Sequence, residues 1–371
     1  MKIIAVQYYQ LKIPFKAPIQ TSYGCLNDKY VDIFVLVDEE GQIGLGELTA
    51  LQHPDYIDEY LIGERQIIHN YLIPWLFQQS WATVEDFCLQ MQKIRGHRMA
   101  KAAVEMALMD LQAKLAKKSL ADYLPDSQPF LQPGISLGIE TDLAKLLAKV
   151  DQAIAQGYQR VKLKIRPGYD YQPLEYIRQK YPDLCLMADA NSAYQGQAQE
   201  LKALDELALA MIEQPLAIDD FTEHAQLQRV LKTPLCFDEN VRSLADLQTI
   251  VALGSAQVIN LKIPRVGGLL NAQTMLKFCQ ENGLKVWVGG MYEAGIARAF
   301  HLHFAAQNHF SYPTDLAGFD HYFAEDIITE PIRMQSGKIQ VPRSLGIGVH
   351  LDEEKIAKYC YQKQEFLAGK S

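Results

Sequence analysis

The chain has no excess of basic residues, no paired cysteines and no uninterrupted apolar run long enough to span a membrane. Thirty-six Lys and Arg against 44 Asp and Glu give a formal net charge of −8, which excludes the basic footprint that nucleic-acid binding normally prints on a sequence. Long blocks of like charge are missing too, so no acidic tail or basic arm is offered to a partner. The six cysteines, Cys25, Cys88, Cys185, Cys236, Cys279 and Cys360, form no CxxC pair and no zinc spacing, which reads as reduced core thiols in a cytoplasmic protein. The opening stretch MKIIAVQYYQLKIPF lacks both a long apolar core and a small-residue cleavage site, and no later stretch reaches spanning length. The expectation is a soluble, untargeted protein with a small-molecule partner and neither a nucleic-acid nor a membrane partner. The oligomeric state is not determined by these features.

What the sequence does contain is a period. Lys164, Asp189, Glu213, Asp238 and Lys262 each sit at or near the end of a short apolar run, at successive intervals of 25, 24, 25 and 24 residues. Stretches of helical length lie between them. Strand, helix and loop repeating at this spacing is the pattern of a (β/α) barrel, in which inward-pointing residues at the C-terminal strand ends face the active site. The chain, at 371 residues, is longer than one compact barrel needs, so a second, smaller domain is expected.

Read in order, residues 3–13, 30–37 and 43–48 carry strand signals, and residues 14–29 read as a loop that is either a surface connection or a lid. A second irregular piece is expected at 49–56. A helix start follows at Thr83, and apolar residues recur at three and four from Met99 to Lys118. The resulting organisation is an α+β capping domain over 1–125, a barrel over 126–320 beginning with a strand at 134–138, and a segment over 321–371 that returns to the cap. Asp142 or Thr141, and Ser243, are candidate helix caps. Strand seven is placed at 285–290 and an eighth at 311–316.

Residues two apart in a strand share a face, so Lys162 and Lys164 point one way while Val161, Leu163 and Ile165 point the other. If the apolar set packs on outer helices, both lysines enter the barrel; the alternative is an edge strand with solvent-facing lysines. By the same logic Asp189, Glu213 and Asp238 project from adjacent strands, and converging carboxylates repel unless a cation neutralises them. An all-oxygen donor set favours Mg²⁺ or Mn²⁺, and salt bridges to the lysines without metal are the other solution. Glu239 and Asn191 lie beside the candidate ligands. Strands two and six are opposite in an eight-membered ring, so Lys164 and Lys262 face each other across the pocket. That geometry suits removal of a proton from carbon α to a carboxylate, with a divalent cation stabilising the enediolate.

The motifs KLK at 162–164, DAN at 189–191, IEQP around Glu213, DEN around Asp238 and NLK ending at Lys262 resemble the muconate-lactonizing-enzyme group of the enolase superfamily. Arg265-Val266-Gly267-Gly268, the GGMYE stretch at 289–293, residues 318–326 and GLGE at 44–47 look most like the o-succinylbenzoate synthase / N-succinylamino acid racemase family. The resemblance covers nearly the whole chain. It implies a modified, (β/α)7β, barrel with a two-part cap, an enzyme that uses a lysine base with Mg²⁺ as enolase-superfamily sites do, and a small-molecule carboxylate substrate. On matching positions it implies Asp189, Glu213 and Asp238 as metal ligands and Lys164 and Lys262 as the acid/base pair. Lys162 would hold the substrate carboxylate, with Asn191 close by. Ser136, Gly290 and Met291 would line the succinyl side, Tyr23 would belong to a closing loop, and Glu239 and Arg265 would support the site.

Two departures from the family pattern stand out. Pro264 replaces a common glycine beside the catalytic lysine and puts the position of Arg265 in question, and Ala294 stands in a common Glu-Thr-Gly-Ile stretch. The reaction implied is dehydration of a succinylated hydroxycyclohexadiene carboxylate to 2-succinylbenzoate in menaquinone biosynthesis. Lys164 would act as base and then acid, with Lys262 as electrostatic support. Racemisation of N-succinylamino acids, which needs a base on each face, is the alternative. A Schiff-base aldolase and a barrel that only binds a carboxylate are the competing classes, and the carboxylate trio argues against both.

Overall fold

The alternation of Val6 and Tyr8 with half-exposed neighbours starts a long strand, β1 (Ile3–Thr21), which pairs antiparallel with β2 (Gly24–Asp38) and through it with β3 (Ile43–Leu48). The computed structural model describes residues 1–21 and 24–369. Of the loop expected at 14–29, residues 14–21 and 24–29 instead continue the two strands, and this is a correction. A register shift between Pro14 and Ile19 accommodates the prolines, which cannot donate to a regular ladder.

One face of this sheet buries Tyr8, Phe34 and Leu36 against the helix Arg98–Leu115 and the helical turns of residues 61–91, forming a core of its own. The helix Val84–Met91 starts where Thr83 accepts from Asp86 N and Asp86 accepts from Thr83 N, a reciprocal cap.

After a short β4 (Phe130–Leu131), the repeat builds a parallel sheet: β5 (Ile135–Leu137), β6 (Arg160–Lys164), β7 (Cys185–Asp189), β8 (Met211–Glu213), β9 (Leu235–Phe237), β10 (Val258–Leu261) and β11 (Lys285–Val288). The strands lie side by side in chain order, and parallel neighbours of this kind need a crossover connection between them. Between them run helices such as Leu143–Ala155, capped by Asp142, and Leu244–Leu253, capped by Ser243 and ended by Gly254 at φ 67°. Val161, Leu163 and Ile165 pack outward into the helix layer, and Lys162 points inward against Trp287.

The expected eighth strand is the second correction. Residues 311–316 form no strand, because Pro313 has no N–H to give. They still close the ring through single backbone bonds on both sides: Ser311 N to Val286 O at 2.8 Å, Asp315 N to Val288 O at 3.0 Å, and Gly134 N to Thr314 O at 2.7 Å.

The chain finishes with β12 (Met334–Gln335) and β13 (Lys338–Gln340), which pair with each other and, through β13, with β4. Then β14 (Cys360–Leu367) joins the edge of β1. Two buried carboxylates fasten the first layer to the barrel by seating on helix N-termini, where free N–H groups and the helix dipole favour negative charge. Glu47 accepts from Ala294 N and Ala297 N, both at 2.8 Å, and Glu105 accepts from Leu270 N at 2.8 Å. Gly268 has to be glycine for the second contact: a Cβ there would stand 1.6 Å from Glu105 Oε2.

Candidate active site

The strand ends converge on a cavity of about 80 Å³. Lys164 ends β6, Asp189 ends β7 and Glu213 ends β8, and parallel pairing sets Lys164 beside Asp189 and Asp189 beside Glu213. Asp238 and Lys262 each follow the last residue of their strands. Because β9 ends at Phe237, Glu239 is released from strand alternation and also turns inward, buried, where it accepts from Asn191 Nδ2 at 3.0 Å. Asn191, Gln214 and Tyr292, which lie two, one and four residues beyond β7, β8 and β11, have φ of 39°, 40° and 57°. Left-handed backbone at non-glycine residues is held only where the surroundings enforce it, and two of these residues, Asn191 and Tyr292, line the cavity.

The charges interlock. Lys162 Nζ lies 2.9 Å from Glu213 Oε2, 3.1 Å from Asp189 Oδ2 and 2.9 Å from Asp315 Oδ2. Lys164 Nζ is 2.7 Å from Asp189 Oδ2, and Lys262 Nζ is 2.9 Å from Asp238 Oδ2. Burial alone would drive Asp189 and Asp238 up, yet both are held below the usual carboxylate range by the cations facing them: Lys164 and Lys162 for the first, Arg265 and Lys262 for the second. Burial would likewise depress Lys164, but Asp189 outweighs it and holds the ammonium above its ordinary value.

Glu213 is pushed up to about 7 by burial and by Asp189, and Glu239 to about 8 by burial and by Asp238. This corner is short of positive charge. Two of its buried oxygens, Glu239 Oε2 and Asn260 Oδ1, have no hydrogen-bond partner among the described residues. As placed, no three His, Cys, Asp or Glu side chains among the described residues already surround one point. The donor chemistry nonetheless fits a hard divalent cation, since carboxylate and carboxamide oxygens are its preferred ligands.

Lys162, Lys164, Lys262, Asp189, Asp238 and Asn191 line the cavity, as do Ser136, Gly290 and Met291. Glu213, Glu239 and Arg265 sit behind this lining. Tyr23 lies outside the described residues. Pro264 occupies the second position of the short helix Ile263–Val266, where a missing N–H costs nothing. Arg265 is accordingly in place, bonded to Asp238, to Val241 O at 2.9 Å and to Asn260 O at 2.7 Å. Gly289 leaves room for two site residues, since a Cβ there would meet Asn260 Oδ1 at 2.2 Å and Lys262 Cε at 2.6 Å.

Sequence reasoning missed several contributors. Asp315, in the closing segment, takes Arg160 at 2.6 Å and the Ser136 hydroxyl at 2.9 Å; its position at the end of the expected eighth strand was the available signal. Asn260, two residues before Lys262 and on the same face, donates to Glu213 at 2.6 Å, as strand alternation allows. Tyr56 had no sequence signal. Its hydroxyl donates to Asp238 at 2.9 Å.

Residues 3–124 match the mandelate racemase / muconate lactonizing enzyme N-terminal domain, and residues 145–355 match the enolase C-terminal domain-like model. An o-succinylbenzoate synthase from Enterococcus faecalis is 51% identical over 98% of this chain and 100% of its own length. The chain belongs to the o-succinylbenzoate synthase / N-succinylamino acid racemase family of the enolase superfamily. Within that family, an N-succinylamino acid racemase from Thermus thermophilus is 37% identical over 95% of each chain. The crystal structure of an enolase-superfamily member from Listeria innocua superposes with a TM-score of 0.97 at 42% identity, covering 100% of both chains.

Proposed function

We propose that the protein is an o-succinylbenzoate synthase: a lyase that dehydrates 2-succinyl-6-hydroxy-2,4-cyclohexadiene-1-carboxylate to 2-succinylbenzoate, a step of menaquinone biosynthesis. The observation that carries the reading is the pairing of Lys164 and Lys262 on two strand ends of one cavity, with Asp189 and Asp238 between them. Such a site abstracts a proton α to a carboxylate and meets the charge that develops on its oxygens.

Asp189, Glu213 and Asp238 are the residues that would hold Mg²⁺ or Mn²⁺. A cation held there would supply Lewis-acid stabilisation of the developing dianion and would take up carboxylate charge that otherwise faces the ammonium groups. Lys164 takes the α-proton from the ring and returns it to the departing β-hydroxyl on the same face, leaving water and an aromatic product. Lys262, fixed by Asp238 and Tyr56, faces the developing negative charge as a cation. Lys162 keeps Asp315, which is not among the metal-holding residues, 2.9 Å from its Nζ, and this ion pair suits it to orienting the substrate carboxylate. Ser136 and the backbone at Gly290 and Met291 take the succinyl arm.

Racemisation of N-succinylamino acids is the second reading. The two lysines on opposite walls favour it, since a base on each face is what inversion needs. Incubating the purified protein with the cyclohexadiene substrate and Mg²⁺ tests the first reading by the appearance of 2-succinylbenzoate. No product, with racemisation of N-succinylamino acids intact, would replace the first reading by the second.

A further inference from the structure

Along β2 the residues Lys29, Val31, Ile33 and Val35 share one face, as alternate residues of a strand do. The three apolar ones are buried in the core that continues into the barrel, and Lys29 is buried with them at 2% exposure. An ammonium in such a place is costly unless it is paired or hydrogen-bonded. Burial lowers its pKa to about 8, while Glu47 and Glu293 pull it back up. Its hydrogen bonds nevertheless go to backbone: Nζ donates to Thr49 O at 2.8 Å and to Met291 O at 3.2 Å.

Those two carbonyls belong to different layers of the molecule. Thr49 opens the irregular segment after β3 that carries Leu51 and Tyr56 to the cavity, and Met291 stands in the turn after β11 that lines it from the barrel side. Met291 is gripped at both of its backbone groups, since its N–H donates to Glu293 Oε1 at 2.7 Å. A trans peptide is planar, so the bond to Met291 O also fixes where the N–H of Tyr292 points. Tyr292 has φ 57°, a conformation that a non-glycine residue keeps only where its neighbours impose it. The grip of Lys29 and Glu293 on the residue before it supplies that constraint.

We propose that Lys29 is a positioning residue of the active site: by holding the Thr49 and Met291 carbonyls on one ammonium, it sets the Met291–Tyr292 peptide on the cavity wall where the succinyl arm is seated. The inference rests on the reading of that wall given above. Lys29 touches neither the substrate nor a reacting atom. Its effect passes through the backbone, so it acts on how well the arm is bound more than on the proton transfer at Lys164. A lysine that only balanced buried charge would leave the two segments as they are when another buried cation took its place or when Glu47 was protonated.

The test uses Lys29→Met, which keeps the length of the side chain and removes its donors. KM for the succinylated substrate is expected to rise by about tenfold or more, the loss of a hydrogen bond from a charged group, with kcat changing much less. Hydrogen–deuterium exchange followed by mass spectrometry is expected to quicken in segments 49–56 and 289–293 and to stay as in wild type at 160–164 and 258–262. Lys29→Arg, which keeps a cation and several donors, is expected to recover part of both effects. Unchanged exchange at 289–293, exchange that quickens equally throughout the chain, or a fall in kcat with KM unchanged overturns the proposal. Failure of both variants to fold overturns it as well, by making Lys29 a residue of general stability. A wild type inactive on both the cyclohexadiene substrate and N-succinylamino acids would sink the functional reading instead, and exchange at 289–293 would still decide whether Lys29 holds that segment.

Discussion

The ammonium of Lys262, at the end of β10, donates to the hydroxyl of Tyr56 at 2.8 Å and stands 5.1 Å from the centre of its ring. Tyr56 belongs to the irregular segment after β3, so a residue from outside the barrel fixes the position of a barrel lysine. Removing the hydroxyl by Tyr56→Phe is expected to lower kcat/KM by about tenfold to a hundredfold, the cost of roughly 1.5–3 kcal/mol for a hydrogen bond to a charged group. The thermal midpoint should move little. Steady-state kinetics identical to wild type would return Tyr56 to a packing role.

The two lysines are expected to separate when each is changed. Lys164→Ala should abolish both dehydration and racemisation. Lys262→Arg keeps a cation and removes a usable base, so it should retain a larger fraction of synthase than of racemase activity. In D₂O it should stop exchange from one enantiomer of an N-succinylamino acid and leave exchange from the other detectable. Equal loss from both enantiomers, with synthase activity falling as steeply, would contradict the division of roles.

Exhaustive chelation should abolish activity, with Mg²⁺ or Mn²⁺ restoring it. Glu213→Gln should leave the circular-dichroism spectrum unchanged and raise the metal concentration needed for half activity by about tenfold or more, as loss of one charged ligand predicts. Full activity after rigorous chelation would falsify the metal assignment.

Stability should carry a pH signature of Glu105. Burial raises its pKa from 4.5 to about 8 despite the backbone donors at Leu270 and Leu269. Between those values the folded chain holds a proton that the unfolded chain has released. The stabilisation is therefore complete below 4.5 and is lost as pH rises through about 8. Glu105→Gln removes the titration and can still accept from the helix. Its thermal midpoint relative to wild type should improve from about pH 5 to about pH 8, and parallel curves for the two proteins would exclude Glu105 as the source.

The barrel was legible because its period was: five charged residues at near-constant spacing carried the strand order and the inward face in the sequence itself. Helix caps at Thr83, Asp142 and Ser243 were equally plain, since capping is local chemistry. What escaped depended on distant partners. Pro14 and Pro18 argued against a strand that the pairing with β2 nevertheless enforces, and 311–316 looked like a strand although Pro313 forbids a regular ladder. Glu239 turns inward because β9 stops two residues before it, a boundary that alternation alone does not mark. Tyr56 reaches Lys262 across 206 positions of sequence, and no periodicity records that.

The antiparallel pairing of β1 with β14 also has a history in time. After its own synthesis β1 must wait while residues 22–359 are added before its edge partner exists. During elongation that edge is open, and the barrel's repeating units emerge one by one beside it. A nascent chain therefore carries one open strand edge for nearly the whole of the interval between β1 and β14, and what shields that edge, chaperone or ribosome surface, bears on yield along with the stability of the finished fold.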